Sequence, residues 1–545
     1  MRFAVAVAAL LAGGRVMSAG AQDPPPIAPV TSDARPPASE RASAPAPAKA
    51  GRSVSTGTST TAPDPRQLRL SLRQCLHLAL NHNVDIEISR YQPWIEDQNV
   101  LSSLGAFDHI VYSSLSFGEN ESKSGNPFDT SGIETDRFNS ALGVRRVLPF
   151  GLSYDLSFRA DRSKTNAFFS SSINPSWNES LTLAVAQPLL KGRGTDGQYT
   201  GVIVARHGRQ AAVERFEKAL TDQLAAVHQA YWDLVFAREN LEVKRQSEKV
   251  AERLLEENQK KFEKGVLARV DVTEAEAGVA TQREGILTAE NAVASAVDKL
   301  KRLVDPALLK QDVVLVPIDA PQPYDREMDE KAVLEAALAQ AFARRPEYRE
   351  FSPLMASQDQ SIRKAQNDLL PKLDLTASGA LTGLDDSFGA SNKELRSGDF
   401  HDWSFGVVFE WPFERRAAQG ALNRAELERR RLELQRRSLE DQILVEVRAA
   451  VRDVKTTEKR IEATRRARVL AQERFEGEMN RREAGLRTTF HVLDAEERLT
   501  EGRTNEIKAV IDYNLALMAL FRAEGTLLER SGVLVQENLS PRLPR

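Results

Sequence analysis

The chain has 545 residues, of which 28% are charged and only 6% aromatic, with a formal net charge of −3. That charge gives no electrostatic footprint for nucleic acid, and few aromatics among many Ala, Leu, Glu and Arg suit long helices with narrow seams better than one thick core. Seven scattered histidines, one cysteine and no Gly-rich loop with a following Lys-Ser/Thr offer no zinc-ligand set, no internal disulfide and no phosphate cradle, so no metal, cofactor or catalytic residue is expected.

Residues 1–21 read as a secretory signal peptide: a basic Met1-Arg2, an apolar run too short to span a bilayer, and Ala19-Gly20-Ala21 at a cleavage site. Residues 22–66, rich in Pro, Ala, Ser and Thr, have too few large apolar groups to offset chain entropy and read as a disordered tether. Cys75 falls on the apolar face of the first helix and reads as a small buried residue. No later stretch reaches ~18 uninterrupted apolar residues, so no membrane-spanning helix is expected.

Strands follow. Leu152, Tyr154, Leu156, Phe158 and Ala160 alternate with Ser153, Asp155, Ser157, Arg159 and Asp161. Trp403, Phe405, Val407, Phe409 and Trp411 do the same, and weaker alternations cover 109–117, 138–147, 181–187 and 373–381. Each is near the ~9–11 residues a tilted strand needs to cross a bilayer. One apolar face and one small or polar face suit a barrel with lipid outside and water inside. Trp177, Trp403, Trp411 and Phe413 near strand ends fit interface belts, or cap the edge of a soluble sandwich. Residues 138–147 and 152–162 form an additional hairpin through Pro149-Phe150-Gly151; it either widens the barrel or folds outside it.

From about Gln198 to Lys264, and again from about Arg415 to Ala484, there is no proline. Helices of that length run roughly 100 Å. Val227, Tyr231, Leu234 and Leu241 mark a narrow seam, and Val447, Val451, Val454 and Ile461 repeat it 220 positions later. Each helix then meets a breaker, Gly265 or Gly485, that supplies a positive φ. Asp271 with Glu274 is expected to cap one returning helix, and Thr488 or Thr489 the other.

The chain therefore repeats itself. Leu76 falls on Leu338, Asn83-Val84-Asp85 on Arg345-Pro346-Glu347 and Val111 on Leu373 at an offset of 262, while Gly265 falls on Gly485 and Val272 on Val492 at 220. The expected organisation is a first repeat over 67–305, a linker over 306–327, a second repeat over 328–530 and a tail over 531–545. Each repeat holds a helix, strands and a long helical hairpin.

The ordered set of boxes resembles the TolC-type outer membrane efflux family. Asn83-Val84-Asp85 and Arg345-Pro346-Glu347 match its boxes after an apolar helix. Gly105-Ala106-Phe107-Asp108 and Leu369-Leu370-Pro371-Lys372-Leu373 match the strand entries. Gln187-Pro188-Leu189-Leu190 and Trp411-Pro412-Phe413 match the exits, and Gly265…Asp271-Val272 and Gly485…Val492-Leu493-Asp494-Ala495 match the tips. The resemblance implies an α+β membrane protein: a homotrimer with a shared transmembrane β-barrel in outer membrane lipid, continued by a periplasmic α-helical barrel. It implies the outer membrane channel of a tripartite export system, with an inner-membrane transporter and a periplasmic adaptor (membrane fusion) protein as partners. By motif position, Asp494 matches a pore-lining aspartate, Arg487 a latch arginine and Asp271 its acidic partner. His491 stands where the family often has a further aspartate, which leaves one or two acidic rings open. Gly265, Val266, Leu267, Gly485 and Leu486 are the expected adaptor contacts. A non-conducting envelope scaffold, with coiled coils as tethers, is the alternative function.

Overall fold

The computed structural model describes residues 67–123, 132–167, 172–311, 313–321 and 330–533. The expected signal peptide, the tether, part of the linker and most of the tail lie outside them. β1 (Gln67–Leu70) leads into α1 (Leu72–His82) and α2 (Val84–Leu104). Then come β2 (Ile110–Ser122), β3 (Ile133–Val147), β4 (Ser153–Thr165) and β5 (Ser176–Pro188). After the short α3 (Gly194–Gln198) follow the 64-residue α4 (Thr200–Glu263), α5 (Arg269–Val304) and β6 (Val314–Pro317). The second half holds α6 (Glu330–Arg344), α7 (Pro346–Arg349), α8 (Phe351–Asp368), β7 (Lys372–Asp385), α9 (Phe388–Ser397) and β8 (His401–Glu410). It ends with the 68-residue α10 (Arg416–Glu483), α11 (Thr489–Ala523) and α12 (Leu527–Arg530). The described residues group into two compact units, and each draws on both halves of the sequence. One takes Ile95–Ala212 and Phe351–Gln435; the other takes 67–94, 213–350 and 436–533.

The first unit carries a six-stranded antiparallel sheet in the order β2-β3-β4-β5-β7-β8. Its strands are the six that alternation marks. Their register lines alternate residues into rows: Val111, Val144, Leu156, Leu183, Gly379 and Trp403 stand side by side. The adjoining row on the opposite face reads Tyr112, Gly143, Ser157, Thr182, Ala380 and Asp402. One face is thus apolar across all six strands and the other small or polar. Large side chains on the apolar face stand open: Phe117 is 80% exposed and Trp403 77%. At one end of that band Phe117 meets Phe138 at 4.8 Å, Phe138 meets Trp177 at 6.1 Å, and Trp177 meets Phe388 at 5.5 Å between ring centroids. The additional hairpin, β3–β4, lies within the sheet. Among the described residues β2 and β8 have no strand on their outer edges.

One element was not expected. α9 interrupts the connection from β7 to β8 and packs on the sheet. Ser391 Oγ donates to the Gly383 carbonyl at 2.9 Å, and Glu394 accepts from the Leu384 amide at 2.7 Å. A Cβ at Gly383 would come within 2.2 Å of the Ser391 carbonyl oxygen, so only glycine admits the helix there.

In the second unit the expected seams form two cores. Leu224, Val227, Tyr231 and Leu234 of α4 join Leu76, Ile86, Val297 and Leu300. Ile443, Val447, Val451 and Val454 of α10 join Ala337, Ala341, Tyr513 and Leu520. Cys75 is buried as expected, and desolvation, with Asp319 nearby, pushes its thiol up to about 12. The repeated boxes are helix starts. Asn83 Oδ1 accepts from the Asp85 and Ile86 amides at 2.8 and 3.1 Å, a cap. Arg345 instead precedes Pro346 at the first position of α7 and pairs with Glu446 at 2.7 Å. β1 and β6 pair in parallel, so the expected linker contributes a strand. Among the described residues no helix is long and apolar enough to cross a membrane, and no cluster of His, Cys, Asp and Glu is placed to hold a metal ion.

Candidate functional site: the two hairpin tips

Both tips are built by the same backbone device. Gly265 has φ +73°; its amide donates to the Phe262 carbonyl at 2.8 Å, and the Val266 amide donates to Lys261 at 2.9 Å. Gly485 has φ +75°; its amide donates to Arg482 at 3.0 Å, and Leu486 donates to Arg481 at 2.8 Å. This paired closure satisfies the last carbonyls of α4 and α10 and needs a left-handed residue at the turn. A Cβ at either glycine would meet nothing within 4 Å, so φ alone selects glycine.

The caps differ from expectation. α5 starts after Ala268, which has extended backbone and no side-chain cap, and Asp271 lies inside the first turn. Asp271 therefore acts on the positive end of the helix dipole and not as a cap. Thr488 occupies the position before α11, but its hydroxyl makes no capping bond.

The other sequence-marked residues fall as follows. Asp494 is half-buried and accepts from Arg474 at 2.9 Å and from Arg498 at 3.2 Å, so its charge is compensated within the chain. Arg487 lies 3.5 Å from Glu478 and 3.4 Å from the His491 ring. The chain thus brings Arg487 to Glu478 and His491, not to Asp271. Val266 and Leu486 are 71% and 75% exposed, Leu267 is half-buried, and Phe490 is exposed.

Sequence reasoning missed the residue that holds the tips together. Asn258 of α4 is fully buried. Its Nδ2 donates to the Asp271 carbonyl at 2.9 Å and to Thr489 Oγ1 at 2.8 Å. Its Oδ1 accepts from Arg482 at 2.7 Å, and Arg482, also buried, donates to Glu257 at 3.0 Å. One amide therefore ties all four helices of the two hairpins. Further along, Ser247 of α4 bonds Glu496 at 3.1 Å and Thr500 at 2.5 Å on α11. Desolvation raises the Glu496 carboxyl, against the lowering effect of Ser247. The signal in the sequence was a polar residue in an apolar seam, Ala251, Leu254, Asn258, which commonly fixes register.

Two long helical hairpins with matched tips, and one sheet with an open apolar face, define a duplicated envelope protein whose parts are periplasmic helix and membrane-type strand. The outer membrane efflux protein family matches residues 147–304 and 337–526, more than half of the chain, and the protein belongs to that family. Its place is the outer membrane, with a large periplasmic part, and its family is one of channels, not enzymes. It is 26% identical to outer membrane protein TolC of Escherichia coli K12 over 331 residues, 57% of this chain and 63% of TolC. The match thus spans less than two-thirds of that relative's length. TolC of Vibrio cholerae is 24% identical over 57% of this chain and 70% of its own. The crystal structure of the CmeC outer membrane channel of Campylobacter jejuni is similar with a TM-score of 0.64 at 15% identity, covering 86% of this chain and 87% of CmeC. VceC from Vibrio cholerae gives 0.60 at 17% identity, covering 83% and 96%. At such identities these structures speak for the fold alone.

Proposed function

We propose that the protein is the outer membrane channel of a tripartite export system. The carrying observation is the six-stranded sheet with one continuous apolar face, one polar face and two bare edges. Backbone groups in lipid are satisfied only by helices and closed barrels, so these edges require strands from other copies. In this reading three copies close β8 of one onto β2 of the next, lipid meets the apolar face, and the polar face lines water. The repeated helical hairpins continue the conduit as a periplasmic α-helical barrel. Domain bounds follow the repeats, 67–305 and 328–530, with 306–327 between them.

The tips form the gate and the docking end. Asp494 lines the constriction, with Arg487, Asp271 and His491 around it. A pairing of Arg487 with Asp271 would join neighbouring hairpins of different copies. Val266, Leu267 and Leu486, beside Gly265 and Gly485, give an adaptor hairpin short apolar edges to pack on. The substrate is chosen by the inner-membrane transporter.

The test is extraction of the native protein from outer membranes. A detergent-stable trimer that dissociates on heating, and opens conducting pores in a planar bilayer, is expected. Recovery in the soluble fraction without conductance would favour the scaffold reading instead.

A further inference from the structure

We propose that the β3–β4 hairpin is an insertion into the membrane barrel that widens it and supplies most of the charge on its inner wall; this rests on the channel reading above. The internal repeat identifies the insertion. β2 and β7 correspond, since Val111 falls on Leu373, and β5 and β8 correspond, since each ends on the proline box that leads to a long helix. In the second repeat β7 and β8 are direct neighbours. In the first, β3 and β4 stand between β2 and β5.

The hairpin has the dimensions and faces of its neighbours. β3 and β4 are 15 and 13 residues long, enough to cross a bilayer at a tilt. They pair along their length on both sides, from Ile110↔Arg145 to Ser122↔Ile133 with β2, and from Ser153↔Ala186 to Ser163↔Ser176 with β5. Phe138, Leu142, Val144, Leu156 and Phe158 fall on the apolar face by register. Three six-stranded sheets close as eighteen strands, where the repeat alone supplies twelve. Barrel diameter grows roughly in proportion to strand number, so the pore is about one and a half times wider.

The polar face of the hairpin differs from the rest. It carries Arg137, Arg145, Asp155, Arg159 and Asp161, whereas the polar faces of β2 and β5 carry no charge and those of β7 and β8 carry Lys372, Asp374, Asp402 and Glu410. The charged wall is tied to β2. Tyr112 donates to Asp155 at 2.8 Å, the Arg145 guanidinium lies 5.6 Å from the Tyr112 ring centroid, and a Cβ at Gly143 would come within 2.5 Å of that ring. An aromatic side chain laid over a cross-strand glycine pins register. Charged side chains lining a pore set which ions it passes.

Single cysteines in the full-length protein, with Cys75→Ser, test this in outer membranes with a charged, membrane-impermeant thiol reagent. Ala141→Cys and Ser157→Cys, on the polar face, should react at least tenfold faster than Leu142→Cys and Phe158→Cys. Thr182→Cys and Leu183→Cys on β5 are the control pair for the barrel itself. Alternation on β5 with equal labelling across the hairpin faces would overturn the insertion and leave the channel reading standing. Loss of alternation on β5 as well would overturn both. In planar bilayers Arg159→Glu should shift the reversal potential toward cations; no shift would remove the hairpin from the ion path.

Discussion

Replacing Arg482 with Gln should loosen the hairpin tips far more than replacing Arg487, although Arg487 is the residue the sequence singles out. Arg482 is buried and gives one charge-assisted hydrogen bond to the fully buried Asn258 at 2.7 Å and one to Glu257 at 3.0 Å. A hydrogen bond to a charged group contributes about 1.5–3 kcal/mol. Glu257 is partly exposed, so losing that pair adds only about 0–1 kcal/mol. The expected loss is about 1.5–4 kcal/mol per chain, which favours the locally open tip by about 10- to 1,000-fold. Arg487 is exposed and lies 3.5 Å from the buried Glu478, which Arg481 already pairs with at 2.9 Å, so losing the longer contact costs about 0–1 kcal/mol, at most about fivefold. Backbone amide exchange over 258–272 and 482–490 measures this directly. Arg482→Gln should accelerate it at both tips, because Asn258 bonds the Asp271 carbonyl on one and Thr489 on the other. Closed-state conductance should rise in parallel. Faster exchange in Arg487→Ser than in Arg482→Gln would refute the argument and return the holding role to the Arg487–Glu478 pair.

Four further outcomes are expected. Asp494→Asn should reduce cation preference and block by multivalent cations, and modestly, because Arg474 and Arg498 already offset its charge; an unchanged reversal potential would take Asp494 out of the pore lining. Burial holds His228 down at about 4. The unfolded chain therefore binds its proton first, and stability should fall as pH drops from about 6.5 towards 4, by up to about 3 kcal/mol; His228→Gln should flatten the melting temperature across that window if this histidine is responsible. Glu496 is shifted the opposite way and should cost stability as pH rises above its ordinary value of 4.5. In a Cys75→Ser background, Leu267→Cys or Leu486→Cys should crosslink to the adaptor in cells; crosslinks confined to the strand-proximal ends of the helices would overturn tip docking.

Most of the architecture was legible because it rests on periodicity. All six sheet strands carry a period of two, and both long helices are proline-free runs ended by glycine. What escaped has local signals too weak to read. α9 opens on Phe, Gly, Ser and Asn, weak helix formers set around a single Ala, and it packs on Gly383. β1 and β6 are four residues each and find each other across almost half the chain. Asp271 and Glu274 have capping spacing, but the helix begins at Arg269, so Asp271 falls in its first turn and not at the cap. Composition marks Asn258 as odd without showing that its partners come from both repeats.

The bare edges of the sheet have a consequence for how the protein is made. Among the described residues the sheet ends in β2 on one side and β8 on the other, each with no strand on its outer edge and with large apolar side chains in the open. If three copies close the barrel as proposed, a lone chain has no finished folded state of its own in lipid. On that reading completion is a matter of encounter: its rate should rise with the number of newly made chains, and a chain arriving alone is the one exposed to proteases and to pairing with wrong partners. Maturation should be second order or higher in newly synthesised protein, so a modest fall in expression would remove more finished channel than the fall itself.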